Sequence, residues 1–251
     1  MNFLEQLTCK GLVIVPKVFS GQEVSLLREE LETAIAEDHI FYNNVFDKGM
    51  VHNCMLRGKH MAKILDNPVI NKYVNSVLSD TCILYAYQSS SLAPGQGNYG
   101  GRIHVDSPRF IPGYMTNLGV ILPLDDFTEE NGATYYLEGS HLLPNAPDTD
   151  EFFKKAKRAC CNAGDMIVFN PRCFHAAGKN TTDVPRHALT LNYCRSYMRQ
   201  RFDYPRLISL ELMKQFGEDG KRLLGMNVRM PTSLEEFYLP EESRLYKANQ
   251  G

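Results

Sequence analysis

The sequence predicts a mainly β fold, a double-sheet jelly roll with helices added at its N-terminal and C-terminal ends. Two amphipathic helical stretches come first. After Ser79 the pattern changes to short apolar runs divided by turn residues at regular spacing. A helical stretch then returns near the C-terminus. No internal repeat or low-complexity linker interrupts the 251 residues, so one domain over 1–251 is expected, with its jelly-roll core at about residues 80–200.

Gly11 to Pro16 reads as a short buried strand. Ser20 is a good N-cap with Glu23 completing a capping box, Phe19 and Val24 stand where a hydrophobic staple would, and Val24, Leu27, Leu31 and Ile35 form the apolar stripe of a helix. His39 to Lys59 has weak periodicity and reads as irregular. Asn67 caps a second helix with Pro68 in its first turn and Ile70, Tyr73, Val74 and Val77 inward. Ile83 to Ser89 is a strand. The loop after it contains Gly95-x-Gly97-x-x-Gly100, a dinucleotide fingerprint in letters only, because a strand and not a helix is expected next.

That strand is Gly101 to Ser107. Strands follow at Thr116–Leu124, Ala133–Leu137, Met166–Phe169 and Arg186–Arg195. Pro123 suggests an edge or a bulge in the first of these. A short helix over Asp150–Arg158 lies in a long insertion, and Arg206–Phe216 reads as a helix before a polar, loosely ending tail. The segments 38–59 and 142–157 are expected to form lids over the mouth of the jelly roll.

The totals exclude several classes. Lys+Arg 27 against Asp+Glu 29 gives a net charge of −2, which offers no electrostatic footprint for nucleic acid or an anionic membrane. No apolar run approaches a membrane span, and the N-terminus lacks the basic start and apolar run of a signal peptide. The seven Cys are odd in number and scattered, which suits free thiols in a reducing, cytoplasmic setting. The sequon Asn180-Thr181-Thr182 is read as coincidental. A small-molecule substrate is the expected partner.

The chemistry starts at His104-x-Asp106. Residues two apart on a strand face the same way, so an imidazole and a carboxylate can grip one divalent metal. Two ligands hold a metal loosely, and His175 is the best third. Two His and one carboxylate with open positions opposite make the facial triad of non-haem Fe(II) oxygenases. His141 is the rival ligand, read instead as bracing its own loop. His187 is expected on the opposite strand face from Arg186, and Tyr85 and Tyr87 are read as core. Taken alone, His104 with Asp106 is also compatible with an exposed cross-strand pair, and His175 with a core histidine.

Three blocks together resemble the phytanoyl-CoA dioxygenase family of Fe(II)- and 2-oxoglutarate-dependent oxygenases. They are His104-x-Asp106 after a Gly-rich loop; Asn131-Gly132-Ala133-Thr134 leading to Gly139-Ser140-His141; and Gly164-Asp165-Met166-Ile167-Val168-Phe169 running through His175 and Asn180 to Arg186. Similarity extends over roughly residues 11–200. The resemblance implies a cupin-like double-stranded β-helix using Fe(II), 2-oxoglutarate and O2, with His104, Asp106 and His175 as metal ligands and Arg186 clamping the distal carboxylate of 2-oxoglutarate. Gln88, in a segment similar to ectoine hydroxylases, is implied as a second co-substrate contact.

Ala177 departs from the Ser or Gly usual two residues after the second iron His. Asp106 stands where the similar halogenases have Ala or Gly, which favours hydroxylation of a small metabolite or biosynthetic intermediate. Desaturation, epimerisation or ring formation on the same scaffold, and a non-catalytic binding jelly roll, are the alternatives. Arg102 shares the expected strand face with the ligands, and Ser107, Asn117 and Asn192 complete the substrate-side candidates.

Overall fold

The computed structural model describes residues 1–41, 50–95, 97 and 99–247. Its strands are β1 (Leu12–Val15), β2 (Ile83–Leu92), β3 (Asn117–Pro123), β4 (Tyr135–Tyr136), β5 (Lys157–Arg158), β6 (Met166–Phe169), β7 (His175–Ala176) and β8 (Arg186–Cys194). They form an antiparallel five-stranded sheet in the order β1-β6-β3-β8-β2 and a three-stranded sheet in the order β5-β4-β7. This is the jelly-roll, cupin-like architecture the sequence predicts, with sheets that do not close.

The period of two along each strand sorts the large sheet into two faces. Leu118, Val120 and Leu122 of β3, Met166 and Val168 of β6, and Leu189, Leu191 and Tyr193 of β8 join one core cluster. The same cluster takes in residues of α2 (Gly21–Phe41), α3 (Lys59–Lys63) and α4 (Pro68–Leu78). The intervening residues Ile121, Ile167, Phe169 and Ala188 pack instead with Tyr136 of the small sheet. Helices therefore cover one face of the large sheet and the small sheet covers part of the other. Gly119 is required by this packing: a Cβ there would stand 2.2 Å from the Phe169 ring.

Both predicted N-terminal helices form for the predicted reasons. The Ser20 backbone N–H donates to Glu23 Oε2 at 2.8 Å while the Glu23 N–H donates to Ser20 Oγ at 3.3 Å. Asn67 Oδ1 accepts from the Val69 and Ile70 N–H groups, with Pro68 as the first residue of α4. The fingerprint-like loop leads to a single 3-10 turn at Tyr99–Gly101 and no helix.

Several expectations are corrected. An additional helix, α1 (Phe3–Lys10), precedes β1; Asn2 and Glu5 form its capping box and Gly11 ends it at φ 83°. Residues 101–107 are not a regular strand, because only His104 makes a β-bridge, to His175. Pro123 is neither on an edge nor in a bulge: β3 is interior, and Pro123 is its last residue, beyond the reach of the β6 ladder, so no bond is lost. Residues 206–216 break into α6 (Tyr204–Leu207) and α7 (Leu210–Met213). Ile208 between them is extended, and Ser209 Oγ caps the second by accepting from Leu212.

The tail is not loose through residue 247. It contains α8 (Glu218–Leu223), whose Leu223 and Leu224 reach the main core, and a bridge between Val228 and Tyr246. The insertion 142–157 carries α5 (Thr149–Lys155) and packs Phe152 against Phe174 and Ala176 of the small sheet, so it does not line the principal cavity as a lid. Of the other expected lid, residues 42–49 lie outside the described residues and Met50 lines the cavity.

Asp66 fastens the tail to the body. Its two carboxylate oxygens accept the Gly217 and Gly220 N–H groups, both at 2.8 Å, at the start of α8. Charge-assisted bonds of this kind contribute about 1.5–3 kcal/mol each. Asp66→Ala is expected to lower unfolding stability by about 2–4 kcal/mol, measured by chemical denaturation; a loss below about 0.5 kcal/mol would show that the tail is held by its apolar contacts alone.

Candidate metal centre and its cavity

His104 and His175 face each other across the gap between the Gly-rich loop and β7. Each backbone N–H donates to the other's carbonyl at 3.0 Å, so they form one hydrogen-bonded antiparallel pair. Their rings lie 4.2 Å apart between centroids. Each ring is turned by the same device: His104 Nδ1 lies 2.7 Å from the Arg102 carbonyl and His175 Nδ1 lies 2.9 Å from the Cys173 carbonyl. A carbonyl only accepts, so both Nδ1 atoms carry the proton; in the neutral ring Nε2 is left with a lone pair, and when His104 is protonated its Nε2–H is directed at Asp106.

Those two lone pairs meet Asp106. Its Oδ1 is 3.5 Å from His104 Nε2 and 3.8 Å from His175 Nε2, and the three ligand atoms lie within 4.8 Å of one another. Two nitrogens and one oxygen, with backbone acceptors behind both imidazoles, suit a divalent first-row metal. Such an ion forms bonds of about 2.0–2.2 Å to these atoms, so two of them span gaps of this size. Asp106 itself is placed by its own N–H and that of Ser107, both donating to the Pro171 carbonyl. His175 is further fixed by the Phe169 ring, 5.5 Å away and edge-on, which the absent side chain of Gly119 admits.

The local field reflects this proximity. Burial pulls the His104 imidazole down, but its bond to Asp106 and its bond to the Arg102 carbonyl outweigh that and hold it above its ordinary value. Burial opposes ionisation of Asp106, yet His104, His175 and Arg201 together keep the carboxyl below its usual range. Burial drives His175 down.

The ligands open onto a cavity of about 450 Å³ lined from both sheets. Gln88, Ser107, Asn117 and Asn192 are on its wall. Asn117 Oδ1 accepts from Thr116 Oγ1 at 2.7 Å, and Ser107 Oγ is 3.5 Å from the same oxygen. Arg102 is not on the wall: its side chain is exposed, because residues 101–103 do not continue as a strand that would set it beside His104 and Asp106. Tyr87 is core, but Tyr85 is a wall residue. It falls at the β-bulge between Leu84 and Ala86, which takes it out of the ladder. Thr190, Met198 and Arg201 also line the cavity. Sequence reasoning passed over Arg201 because it lies past the last strand, in a stretch without periodicity; its alternation with Arg199 around Gln200 is the only local signal.

Arg186 opens β8 and is buried, with 2% of its surface exposed. It lies behind the cavity wall rather than on it. Nη1 donates to the Gly132 carbonyl at 3.0 Å, the guanidinium sits 4.1 Å from the Phe127 ring centre, and Nε has no hydrogen-bond partner. No described carboxylate forms a salt bridge with it. Burial lowers its pKa to about 10, so it is still a cation at neutral pH.

The surrounding blocks are explained by this one side chain. Asn131 Oδ1 accepts the Thr128 N–H and its amide donates to the Asp126 carbonyl, building the turn that holds Gly132 at φ 87°. A Cβ on Gly132 would stand 2.9 Å from the Gly178 carbonyl oxygen. Asn180, fully buried, donates to the Leu92 and Val184 carbonyls and accepts from Thr182, which shapes the turn between His175 and Arg186. With its amide so engaged, Asn180 fits the coincidental reading of the sequon.

His141 is apart from the cluster. Its Nε2 bonds the Thr8 carbonyl at 2.8 Å, so it is a structural histidine as expected, though it ties its loop to α1 rather than bracing the loop alone. His187 points to the other face, bonding Ser91 Oγ at 2.8 Å.

Because a metal displaces the proton that His104 holds more firmly than usual, metal affinity is expected to fall as pH drops from above to below that raised value. His175, held down, adds little to this slope. Mn(II) titrations followed by EPR at a series of pH values check it; a flat profile through the ordinary imidazole value of 6.5 would contradict the assignment of His104.

Comparison with known proteins agrees with this geometry. A curated protein of Mycobacterium tuberculosis, Rv1501, itself uncharacterized, is 28% identical over 260 residues, covering 98% of this chain and 94% of its own. Dioxygenase FUM3 of Gibberella moniliformis is 25% identical over 264 residues, covering 94% of this chain and 85% of its own. Among solved structures, EctD from S. alaskensis with 2-oxoglutarate and 5-hydroxyectoine superposes with a TM-score of 0.66 at 16% identity, covering 77% of this chain and 76% of that one. Among the described residues no helix is long and apolar enough to cross a membrane. Residues 7–188 match the phytanoyl-CoA dioxygenase (PhyH) family, and the chain, an oxidoreductase of the dioxygenase type, belongs to that family.

Proposed function

We propose that this chain is an Fe(II)- and 2-oxoglutarate-dependent dioxygenase that hydroxylates an unactivated C–H bond of a small metabolite or biosynthetic intermediate. The observation that carries the reading is the His104–Asp106–His175 cluster, with both Nε2 lone pairs turned toward one carboxylate oxygen at the wall of a cavity. Its donor set fits iron, and its three ligands leave positions for a bidentate co-substrate and O2.

His104, Asp106 and His175 would hold the ion on one side. Bound there, Fe(II) would supply the oxidising chemistry, in which O2 and 2-oxoglutarate become succinate, CO2 and one oxygen atom inserted into the substrate C–H bond. The chain's own part is binding, orientation and exclusion of water. Arg186 is a buried cation whose Nε lacks an acceptor. Stacking on Phe127 contributes about 0.5–2 kcal/mol. An unsatisfied buried donor costs about 1–3 kcal/mol. A carboxylate supplies what the ring does not, so Arg186 suits the distal carboxylate of 2-oxoglutarate. Gly132, whose carbonyl takes Nη1, orients the guanidinium. Ile121, Val120 and Phe169 make part of the wall apolar. Ser107, Asn117, Asn192 and Thr190 supply polar groups to orient a substrate.

An anaerobic titration with Fe(II) and 2-oxoglutarate tests the cofactor reading. The visible charge-transfer band of an iron-chelated keto acid is expected in the wild-type protein and lost in His175→Ala. A protein that develops no band sinks the proposal.

Arg186→Gln is expected to weaken 2-oxoglutarate binding at least about tenfold, the loss of a charge-assisted fork, with Fe(II) still bound. Equal affinity in the variant would remove Arg186 from the role. Once a substrate is in hand, product mass decides the reaction. A gain of one oxygen is expected, and a loss of two hydrogens would replace hydroxylation by desaturation.

A further inference from the structure

Arg201 is the cation that the iron and co-substrate reading leaves unused. Among the described residues lining the cavity it is the sole Lys or Arg, and Asp106, a metal ligand, is the sole carboxylate. An exposed arginine on a protein surface ordinarily needs no explanation, since water satisfies it. Arg201 differs in being tied down where it stands. Its backbone N–H donates to the Tyr85 carbonyl at 2.9 Å. The neighbouring Gln200 side chain donates to the Leu84 carbonyl at 2.8 Å and the Leu223 carbonyl at 3.1 Å, stitching this stretch to β2 and α8. The guanidinium lies 5.7 Å from the Tyr85 ring centre, and Nη1 donates to Gln88 Oε1 at 2.6 Å.

That last bond changes the meaning of Gln88. Its amide oxygen is occupied by Arg201, so it orients a cation at the cavity wall. It uses one of the five guanidinium N–H donors, and no described carboxylate forms a salt bridge with the rest. Charge bookkeeping points the same way. A divalent ion, the Asp106 carboxylate and a bound dicarboxylate sum to one negative charge, which Arg186 cancels. Arg201 then adds one positive charge to the space beside the metal ligands. A guanidinium held in a fixed orientation favours a planar or tetrahedral oxyanion, which it can grip with two parallel bonds.

Resting on the proposed cofactor reading, we propose that the substrate of this enzyme carries an oxyanion, a carboxylate or a phosphate, and that Arg201, positioned by Gln88, Tyr85 and Gln200, is the specificity residue that binds it. The anion fixes one end of the substrate against the β2 wall, so that the rest of the molecule lies across Asn117, Thr190 and Asn192 toward the metal ligands. A neutral or cationic substrate of the same shape would leave Arg201 facing it unpaired.

The test uses the full-length protein loaded with Mn(II) and saturating 2-oxoglutarate, with loading and co-substrate binding verified by EPR. Inorganic phosphate and acetate are the probes, and Mn(II)-induced relaxation of the phosphate phosphorus and the acetate carboxyl carbon is followed by NMR. Saturable relaxation is expected for at least one anion, and the stronger of the two identifies the group. Arg201→Gln is expected to weaken that binding at least about tenfold. Arg199→Gln removes an equal charge from an exposed position on the same stretch, off the cavity wall, and is expected to match the wild type.

Relaxation that is unchanged in Arg201→Gln, or lost equally in Arg199→Gln, overturns the proposal. So does a wild-type protein that holds Mn(II) and 2-oxoglutarate but relaxes neither anion. Failure to hold Mn(II) at all is a different result: it removes the metal centre first and this proposal with it.

Discussion

The exchange of two backbone hydrogen bonds between His104 and His175 is the constraint on which the site depends. The residues are 71 positions apart in sequence, on a loop and on a two-residue strand, and neither segment is stiff alone. Pairing them fixes the spacing of the two rings. The repeated bond from each Nδ1 to a carbonyl two residues earlier then fixes the rotation of each ring. With spacing and rotation both set by backbone, the metal-facing nitrogens are in position before any ion arrives, which limits the reorganisation that metal binding must drive.

Arg186 shows the opposite economy. Its site is built to keep a charge out of water without giving it a full set of partners. Gly132 in a left-handed turn offers one carbonyl, Phe127 a ring face, and Asn180 buries the turn that delivers the side chain. A chain selected only for stability would replace such a residue with an apolar one, because a cation with an orphaned donor is a net cost. The unmet donor is one a ligand carboxylate would satisfy only by reaching past the cavity wall to Arg186, and that unmet bond, more than the mere presence of an arginine, supports the co-substrate reading.

Much of this was legible in the sequence, and the reasons are local. The Ser20–Glu23 capping box and the Asn67 N-cap before Pro68 act within a single turn, and alternation along β3 and β8 is enforced by one apolar face. The same grammar was present at Asn2–Glu5 and Gly11, which mark α1. The His104–Asp106 pair was found through the idea of a regular strand, yet only one residue there pairs, so the inference about Arg102 did not carry over with it. The two ligands meet because Pro171 and His175 receive that segment from outside. Tyr85 was misread as core because a bulge breaks the period of two on which its face was assigned. Pro123 was misjudged because the length of a neighbouring ladder is a tertiary fact.

The walls of the cavity come from residues inside the family match and from residues beyond it. The family match ends at residue 188, so it covers all three metal ligands, Arg186, and the turns that set them. Thr190, Leu191, Asn192, Met198 and Arg201 line the same cavity beyond that limit. The boundary falls within β8, whose first residues serve the buried cation and whose later ones face the open space. One strand thus joins the buried Arg186 to the open wall beside the candidate ligands. The C-terminal segment is held to the body by Asp66, and by Gln200 and the Arg201 N–H on β2, none of which touches the pairing of His104 with His175. Under the proposed function, substrate contacts placed there would be separable from the metal centre, because a site's lining can change on an unchanged scaffold.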